Sequence, residues 1–237
     1  FDTFSRIGGN IKVKSESEIY LSLNDEIIKF NNHGILDEDF YTISNNGNSN
    51  FFPGKIELLN NGQIVTTTYN RVWLLNHDGS LDSNFKVEIL GRYAHEVAVQ
   101  ADDKIILSNS FLTVNGIPVN KIVRLNLDGS IDETFEISPG AFDEWFHPRE
   151  VVVSSKGNFM VGHSGPNYPK DRSPFVSIRS DGSVNKDFFN KVNETNNYTN
   201  ILTNFRKGVF LEDGSFLNYA ILDTKPSLFK WSLFQIW

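Results

Sequence analysis

The sequence predicts an all-β fold made from one hairpin unit repeated along the chain. Three observations predict it: a turn motif that recurs without gaps, alternating apolar runs around polar turns, and a composition that disfavours helix. The turn motif reads IIKFNNHGILDEDF (Ile27–Phe40), VWLLNHDGSLDSNF (Val72–Phe85), IVRLNLDGSIDETF (Ile122–Phe135) and FVSIRSDGSVNKDF (Phe175–Phe188). Its glycines, Gly34, Gly79, Gly129 and Gly182, are spaced 45, 50 and 53 residues apart. A period of this size marks a repeat architecture. Asn is abundant and Ala scarce, which removes the best helix former. Phe is used heavily, with 20 copies against a single Met.

A second motif precedes each of these turns, as two short apolar runs around a polar turn. It reads IKVKSESEIYLSL, IELLNNGQIVTTT, VAVQADDKIILSN, VVVSSKGNFMVGH and VFLEDGSFLNYA. Alternation is plain in the third copy, with Val97 and Val99 before Asp102–Asp103 and Ile105 and Leu107 after it. Period-2 apolarity flanking such turns is the hairpin signal. Each repeat therefore holds two hairpins, or four short strands. Five repeats in 237 residues give about 47 residues each, the size of one four-stranded propeller blade. The predicted fold is a five-bladed β-propeller of four-stranded antiparallel blades, in one domain over 1–237. The repeats run roughly 4–45, 46–90, 91–140, 141–190, and 191–237 joined by 1–4.

The ends fit one another in repeat phase. Setting Leu228 against Phe175 places Trp237 opposite Val184, and Phe1–Asp2 matches Leu36–Asp37, Leu81–Asp82 and Ile131–Asp132. A last blade shared by both termini would close the ring and remove an exposed edge; a spiral fragment of a longer array is the alternative. The long connectors Thr42–Gly54, Asn109–Asn120, Ser138–Glu150, Gly165–Pro174 and Phe189–Asn200 are rich in Asn, Gly, Pro and Ser, as surface loops are.

Composition narrows the function classes. A net charge of −7 and a pI near 5.2, with Lys and Arg scattered, offer no field for nucleic acid or anionic lipid. There is no cysteine, so disulfides and thiolate metal sites are excluded. No apolar run approaches the length of a membrane-spanning helix. The opening FDTF, without Met or signal-peptide features, is read as the start of a processed or trimmed chain.

With VAVQADDKIILSN followed by SFLTVNGIPVNKIVRLNLDGSIDETF (Ser110–Phe135), the chain resembles the delta-60 repeat family, written roughly QxDGKIL…FxxVNGxxxxxxxRLNxDGSxDxxF. The match is close in the third repeat and fair in the second. In the first and fifth it survives mainly as pattern, with His33 at the turn Asp and the last turn missing. The resemblance implies a propeller of the kind found in large exported bacterial proteins and phage-encoded chains. It implies no activity, because the family has no shared catalytic residues.

Calcium is the first chemistry to weigh, because Asn126, Asp128 and Asp132 resemble the later positions of a D-x-N-x-D-G-x-x-D loop. A hard cation needs six or more oxygens, and the first position normally supplies a carboxylate. Here that position holds Lys29, Leu74, Arg124 or Ser177. The expectation is therefore no metal and no cofactor, with Asp128 in a left-handed turn position beside Gly129 and Asp132 bonded to backbone N–H groups. The recurring Phe40, Phe85, Phe135 and Phe188 lack a polar handle for sugar and read as packing between blades.

No motif supports hydrolysis directly. The histidines His33, His77, His95, His147 and His163 form no metal-binding pair, and GHSGPN is not a nucleophile elbow. Glu96, Asp143, Glu144 and Glu150 are acids outside the repeat pattern, and paired acids on different blades are the one catalytic arrangement that local spacing cannot reveal. Asn193-Glu-Thr and Asn197-Tyr-Thr match the glycosylation sequon but reflect Asn-rich loop composition.

Two loops break the repeat, SPGAFDEWFHPRE (Ser138–Glu150) and GPNYPKDRSP (Gly165–Pro174). They nominate Trp145, His147, Arg149, Tyr168 and Arg172 as an interaction surface. The expected function is a non-enzymatic binding or structural module for a protein or surface-glycan partner, in a secreted, cell-surface or virion assembly. A lectin with repeated sites and a glycoside hydrolase with paired carboxylates are the alternatives.

Overall fold

The computed structural model describes residues 10–15, 18–23, 26–40, 54–68, 71–144, 146–163, 175–186, 205–211, 216–222 and 225–231. Each repeat folds as three consecutive antiparallel strands. The first sheet is β1 (Ile11–Ser15), β2 (Glu18–Ser22) and β3 (Ile27–Phe30); the second begins with β4 (Ile56–Leu58), β5 (Ile64–Thr67) and β6 (Arg71–Leu75). Then come β7 (Val87–Val99), β8 (Ile105–Val114), β9 (Ile117–Pro118) and β10 (Ile122–Leu125). The fourth repeat forms β11 (Pro148–Val153), β12 (Phe159–His163) and β13 (Phe175–Ile178), and the last forms β14 (Phe205–Phe210), β15 (Phe216–Leu222) and β16 (Lys225–Trp231).

One turn chemistry builds both hairpins of the repeat. In the turn that starts at Asn126, its N–H donates to the Ser130 carbonyl and the Gly129 N–H donates back to the Asn126 carbonyl. Turns starting at Asn31, Leu59, Asn76, Gln100, Ser154 and Arg179 have the same two bonds. This is a type I turn followed by a left-handed residue. Glycine fills the left-handed position everywhere except the turn at Gln100, where Asp103 adopts φ 62°. Asp128 is not left-handed, contrary to the expectation; its carboxylate instead accepts from the Ser130 N–H and hydroxyl, and Gly129 alone takes φ 84°. The residues that follow behave as expected, with Thr134 N–H donating to Asp132 and the Phe135 N–H to the Asp132 carbonyl.

The fourth strand of each blade is the main departure. After the turns, Phe30–Leu36, Leu75–Leu81, Leu125–Ile131 and Ile178–Val184 make only single bridges. An Asp–x–x–Phe turn follows the bridge in the first three repeats, with the Phe40, Phe85 and Phe135 N–H groups donating to the Asp37, Asp82 and Asp132 carbonyls. Among the described residues a true fourth strand occurs once, where Val87 and Glu88 of β7 pair with Val72 and Arg71 of β6. That pairing fuses two repeats into one seven-stranded sheet. The connector expected at Asn109–Asn120 is also largely strand. Val114 and Ile117 pair across Asn115–Gly116, whose φ values of 51° and 77° give the primed two-residue turn that Asn-Gly favours.

The first strands pack side by side in order: β1 with β4, β4 with β7, β7 with β11 and β11 with β14. Apolar clusters fill the spaces between successive sheets. Tyr20, Ile27 and Phe40 of the first repeat meet Ile56, Ile64 and Leu75 of the second. Val65, Leu74 and Phe85 meet Val97, Ile105 and Leu107, while Ala98, Ile106 and Ile122 face the other way onto Val151, Phe159 and Val176. Alternation along the third repeat thus separates two cores, not core from solvent, which is why β5, β10, β12 and β13 are buried throughout. Phe40 and Phe85 are buried between sheets as expected, and Phe135 lies partly buried against Phe159; Phe188 lies outside the described residues.

Candidate functional site at the loop end

The register separates the two ends of the molecule. All seven tight turns lie at one end of the sheets, where first strands finish and third strands finish. First and third strands begin, and second strands finish, at the opposite end, and among the described residues the segment 136–147 and the β8–β9 arm lead there.

At that loop end, four positions coincide in repeat phase. Ile11, Ile56, Val97 and Val151 pair with Leu21, Thr66, Leu107 and Val161, so Asn10, Lys55, Glu96 and Glu150 occupy one repeat position, followed by a buried residue in all but the first repeat, where Ile11 is exposed. Lys55 Nζ lies 2.8 Å from Glu96 Oε2, 3.7 Å from Glu57 Oε1 and 3.3 Å from the Val151 carbonyl oxygen. Glu57 in turn pairs with Lys12 at 2.5 Å. Side chains or backbone of β1, β4, β7 and β11 thus converge on one ionic network, and Lys55 reaches a strand two repeats away. Only a position near the common axis of the first strands allows that.

Burial sets the protonation of this network. Desolvation lifts the Glu96 carboxyl to about 7, against the pull of Lys55 and with added repulsion from Glu150 and Glu57. For Lys55, burial favours the neutral amine, but Glu96, Glu150 and Glu57 outweigh it and hold the ammonium charged. Charges removed from water must be paired to persist, and here the pairing is complete on the cation's side.

The loop Ser138–Glu150 is fixed beside this network. Lys121, itself left-handed at φ 64°, donates from Nζ to the carbonyls of Asp143 and Phe146. Burial draws the Lys121 ammonium below its ordinary value. Phe146 is buried against Phe142 and His163, and His163 Nδ1 accepts the His147 N–H at 2.8 Å. The His147 and Arg149 side chains are exposed on this framework. Trp145, Tyr168 and Arg172 lie outside the described residues. Of the acids flagged in the sequence, Glu96 and Glu150 are brought together, while Asp143 and Glu144 lie on the fixed loop. Lys12, Lys55 and Glu57 carried no local motif; the signal that marks Lys55 is its repeat phase with Glu96 and Glu150.

The calcium-like stretch lies at the opposite, turn end, and an arginine sits where its cation would. Arg124 Nε donates to Asp132 Oδ2 at 2.9 Å, and Lys104 Nζ approaches the same oxygen at 3.1 Å. Burial would raise the Asp132 carboxyl, but bonds from Thr134 and Lys104 and the Arg124 charge hold it far below the usual range. The first repeat repeats the solution, with Lys29 on Asp37 and on Glu18. Desolvation works against the Glu18 charge, yet bonds from Lys14, Tyr20 and His77 bring its carboxyl down to about 2. In the second repeat the neutral Gln63 amide bonds Asp82. No group of three or more metal-ligating side chains occurs among the described residues, and no helix there is long and apolar enough to cross a membrane.

These turns also latch neighbouring sheets. His77 Nε2 meets Glu18 at 2.9 Å, Asn60 N–H donates to Asp103, and Arg124 Nη1 donates to the Ser180 carbonyl. One end of the molecule is locked by repeated contacts; the other carries what does not repeat.

Comparison with known proteins agrees with this layout. A family model described as a domain of unknown function (DUF5122) beta-propeller matches residues 100–135. The sequence matches no curated protein. Among solved structures, a calcium-binding protein, regucalcin, from Agrobacterium tumefaciens is similar at TM-score 0.54 and 11% identity, over 89% of this chain and 67% of that one. A chain described as the extracellular domain of a one-component system from B. thetaiotaomicron aligns at TM-score 0.52 and 10% identity, over 92% of this chain. This chain spans only 25% of that protein's length. A chain described as an exported protein from Bacteroides fragilis aligns at TM-score 0.50 and 12% identity, covering 98% of this chain and 72% of that one. The matched repeat, the sequential sheets and these likenesses give the chain a β-propeller fold.

Proposed function

We propose that the chain is a non-catalytic propeller module of the delta-60 type, five-bladed and closed by both termini, whose loop end holds a protein or glycan partner. The setting proposed is a secreted, cell-surface or virion assembly; two of the similar folds come from chains described as extracellular or exported. The observation that carries the reading is the fixed loop Ser138–Glu150, where Lys121 and His163 hold the backbone while His147 and Arg149 face solvent. A loop ordered before binding loses less entropy on binding, which favours recognition. Repeated sugar sites are disfavoured because Asn10, Lys55, Glu96 and Glu150 differ at the same repeat position.

The test is affinity capture from the encoding organism, quantified by mass spectrometry for wild type and a His147→Ala, Arg149→Glu double variant. A partner held by wild type and lost by at least tenfold in the variant is expected. Equal capture by both proteins would overturn the reading. One observation favours a second reading: Glu96 and Glu150 occupy neighbouring first strands with Glu96 half-protonated near neutrality, the kind of pair glycoside hydrolysis uses. Release of nitrophenol from aryl glycosides by wild type, abolished in Glu150→Gln, would replace the binding reading with that one.

A further inference from the structure

A cleft of about 520 Å³ opens at the turn end, between the third and fourth repeats, far from the loops considered above. Its size falls in the range of small-molecule sites. Its floor contains Arg124, only 9% exposed and held on several sides. Nε binds Asp132, Nη1 binds Gln100 Oε1 and the Ser180 carbonyl, and one Nη2 hydrogen reaches Thr134 Oγ1 at 3.4 Å. The guanidinium also stacks 4.5 Å from the Phe135 ring centroid. A guanidinium has five N–H groups, so one on Nη2 has no partner among the described residues. A buried donor left over at the wall of a cleft is costly unless something accepts from it.

The rim shows what could. Asp102 and Asp181 accept on Oδ1 from the Lys104 and Ser183 N–H groups of their own turns, and Asp181 also accepts from the Ser183 side chain; a carboxylate has further lone pairs to offer beyond these. Lys156 and Ser155 are exposed on the facing turn. The Arg124 charge is already balanced by Asp132, so the cleft offers no excess positive field, and two rim carboxylates repel anions. The lining also lacks an apolar platform for a hydrophobic ligand. A ligand must instead donate to carboxylates and accept from the guanidinium and ammonium at once, without net charge. Adjacent hydroxyls do this, since each both donates and accepts.

We propose that this cleft binds one neutral sugar residue through Arg124, Lys156, Asp102 and Asp181. The positions equivalent to Arg124 are Lys29, Leu74, Ser177 and Lys230, so no other repeat places a guanidinium there. It is independent of the loop-end reading.

Saturation-transfer NMR and calorimetry with methyl glycosides of glucose, galactose, mannose and N-acetylglucosamine test it on the full chain. At least one should bind with one-to-one stoichiometry. Lys156→Ala and Asp102→Ala, both at exposed positions, should weaken that binding at least tenfold with the melting temperature unchanged. Arg124→Lys keeps the charge but not the spare N–H, and should weaken binding similarly. Absence of binding by all four glycosides overturns the proposal. So does binding that the rim variants leave intact, or a preference for inorganic phosphate or glycine over every glycoside.

Discussion

Lys55 is an ammonium group removed from water and surrounded by oxygens from three strands, so its value to the fold depends on the charge of its partners. Replacing it with methionine leaves Glu96, Glu57 and Glu150 facing one another. Breaking a buried pair from one side costs about 3–5 kcal/mol, and that loss is expected for Lys55→Met at pH 8. At pH 5 the cost should shrink, because Glu96, lifted to about 7, takes up a proton. The wild type has a related slope. Glu96 is lifted from 4.5 to about 7, so the native state holds its proton longer than the unfolded chain. Its contribution to stability is greatest below 4.5 and is lost as pH rises through 7. Urea melts of both proteins at the two pH values check the sign. Arg124 supplies the other prediction at this scale. Because its guanidinium holds Asp132, added calcium should leave the wild-type melting temperature unchanged, while Arg124→Met should cost about 3 kcal/mol; calorimetric scans with and without calcium measure both.

The elements are short and owe their shape to one turn. Its left-handed fourth position explains why glycine recurs there, but the surroundings of those glycines differ. At Gly34, φ 72°, an added Cβ would meet nothing, so Gly34→Ala should cost only the left-handed penalty of about 1 kcal/mol. At Gly182, φ 95°, a Cβ would collide with the Glu136 backbone of the preceding repeat, so Gly182→Ala should cost several times more. Chemical denaturation of the two variants separates turn strain from packing between repeats. Hairpins were legible from sequence because Asp-Gly and Asn-Gly turns are local chemistry. The shortened fourth strands were not, since only the folded chain shows that pairing stops at a single bridge. The β7–β8 arm was likewise hidden, because Val114 is buried by packing on the preceding repeat.

For the whole molecule, stability should depend on how the array ends. A sheet edge left open exposes unpaired backbone groups. If the termini share a blade, deleting Phe1–Phe4 should lower the melting temperature by many degrees, whereas an unchanged thermal melt would sink ring closure. Latched turns tie successive repeats together at one end of the sheets, and the loop Ser138–Glu150, to which recognition is assigned by proposal, lies at the other.

The sequence by itself determined the repeat, its turns and the inward-facing residues, because period, glycine placement and apolar alternation are local and recur. It also showed Arg124 at the position where a calcium loop would supply its first carboxylate. Only the tertiary structure shows that alternating residues feed two cores, and that Lys55 pairs with Glu96 within electrostatic reach of Glu150. Those three residues are separated by 41 and 54 positions along the chain. Their common repeat phase hints at a shared level, but only radial packing of successive sheets turns a shared level into contact.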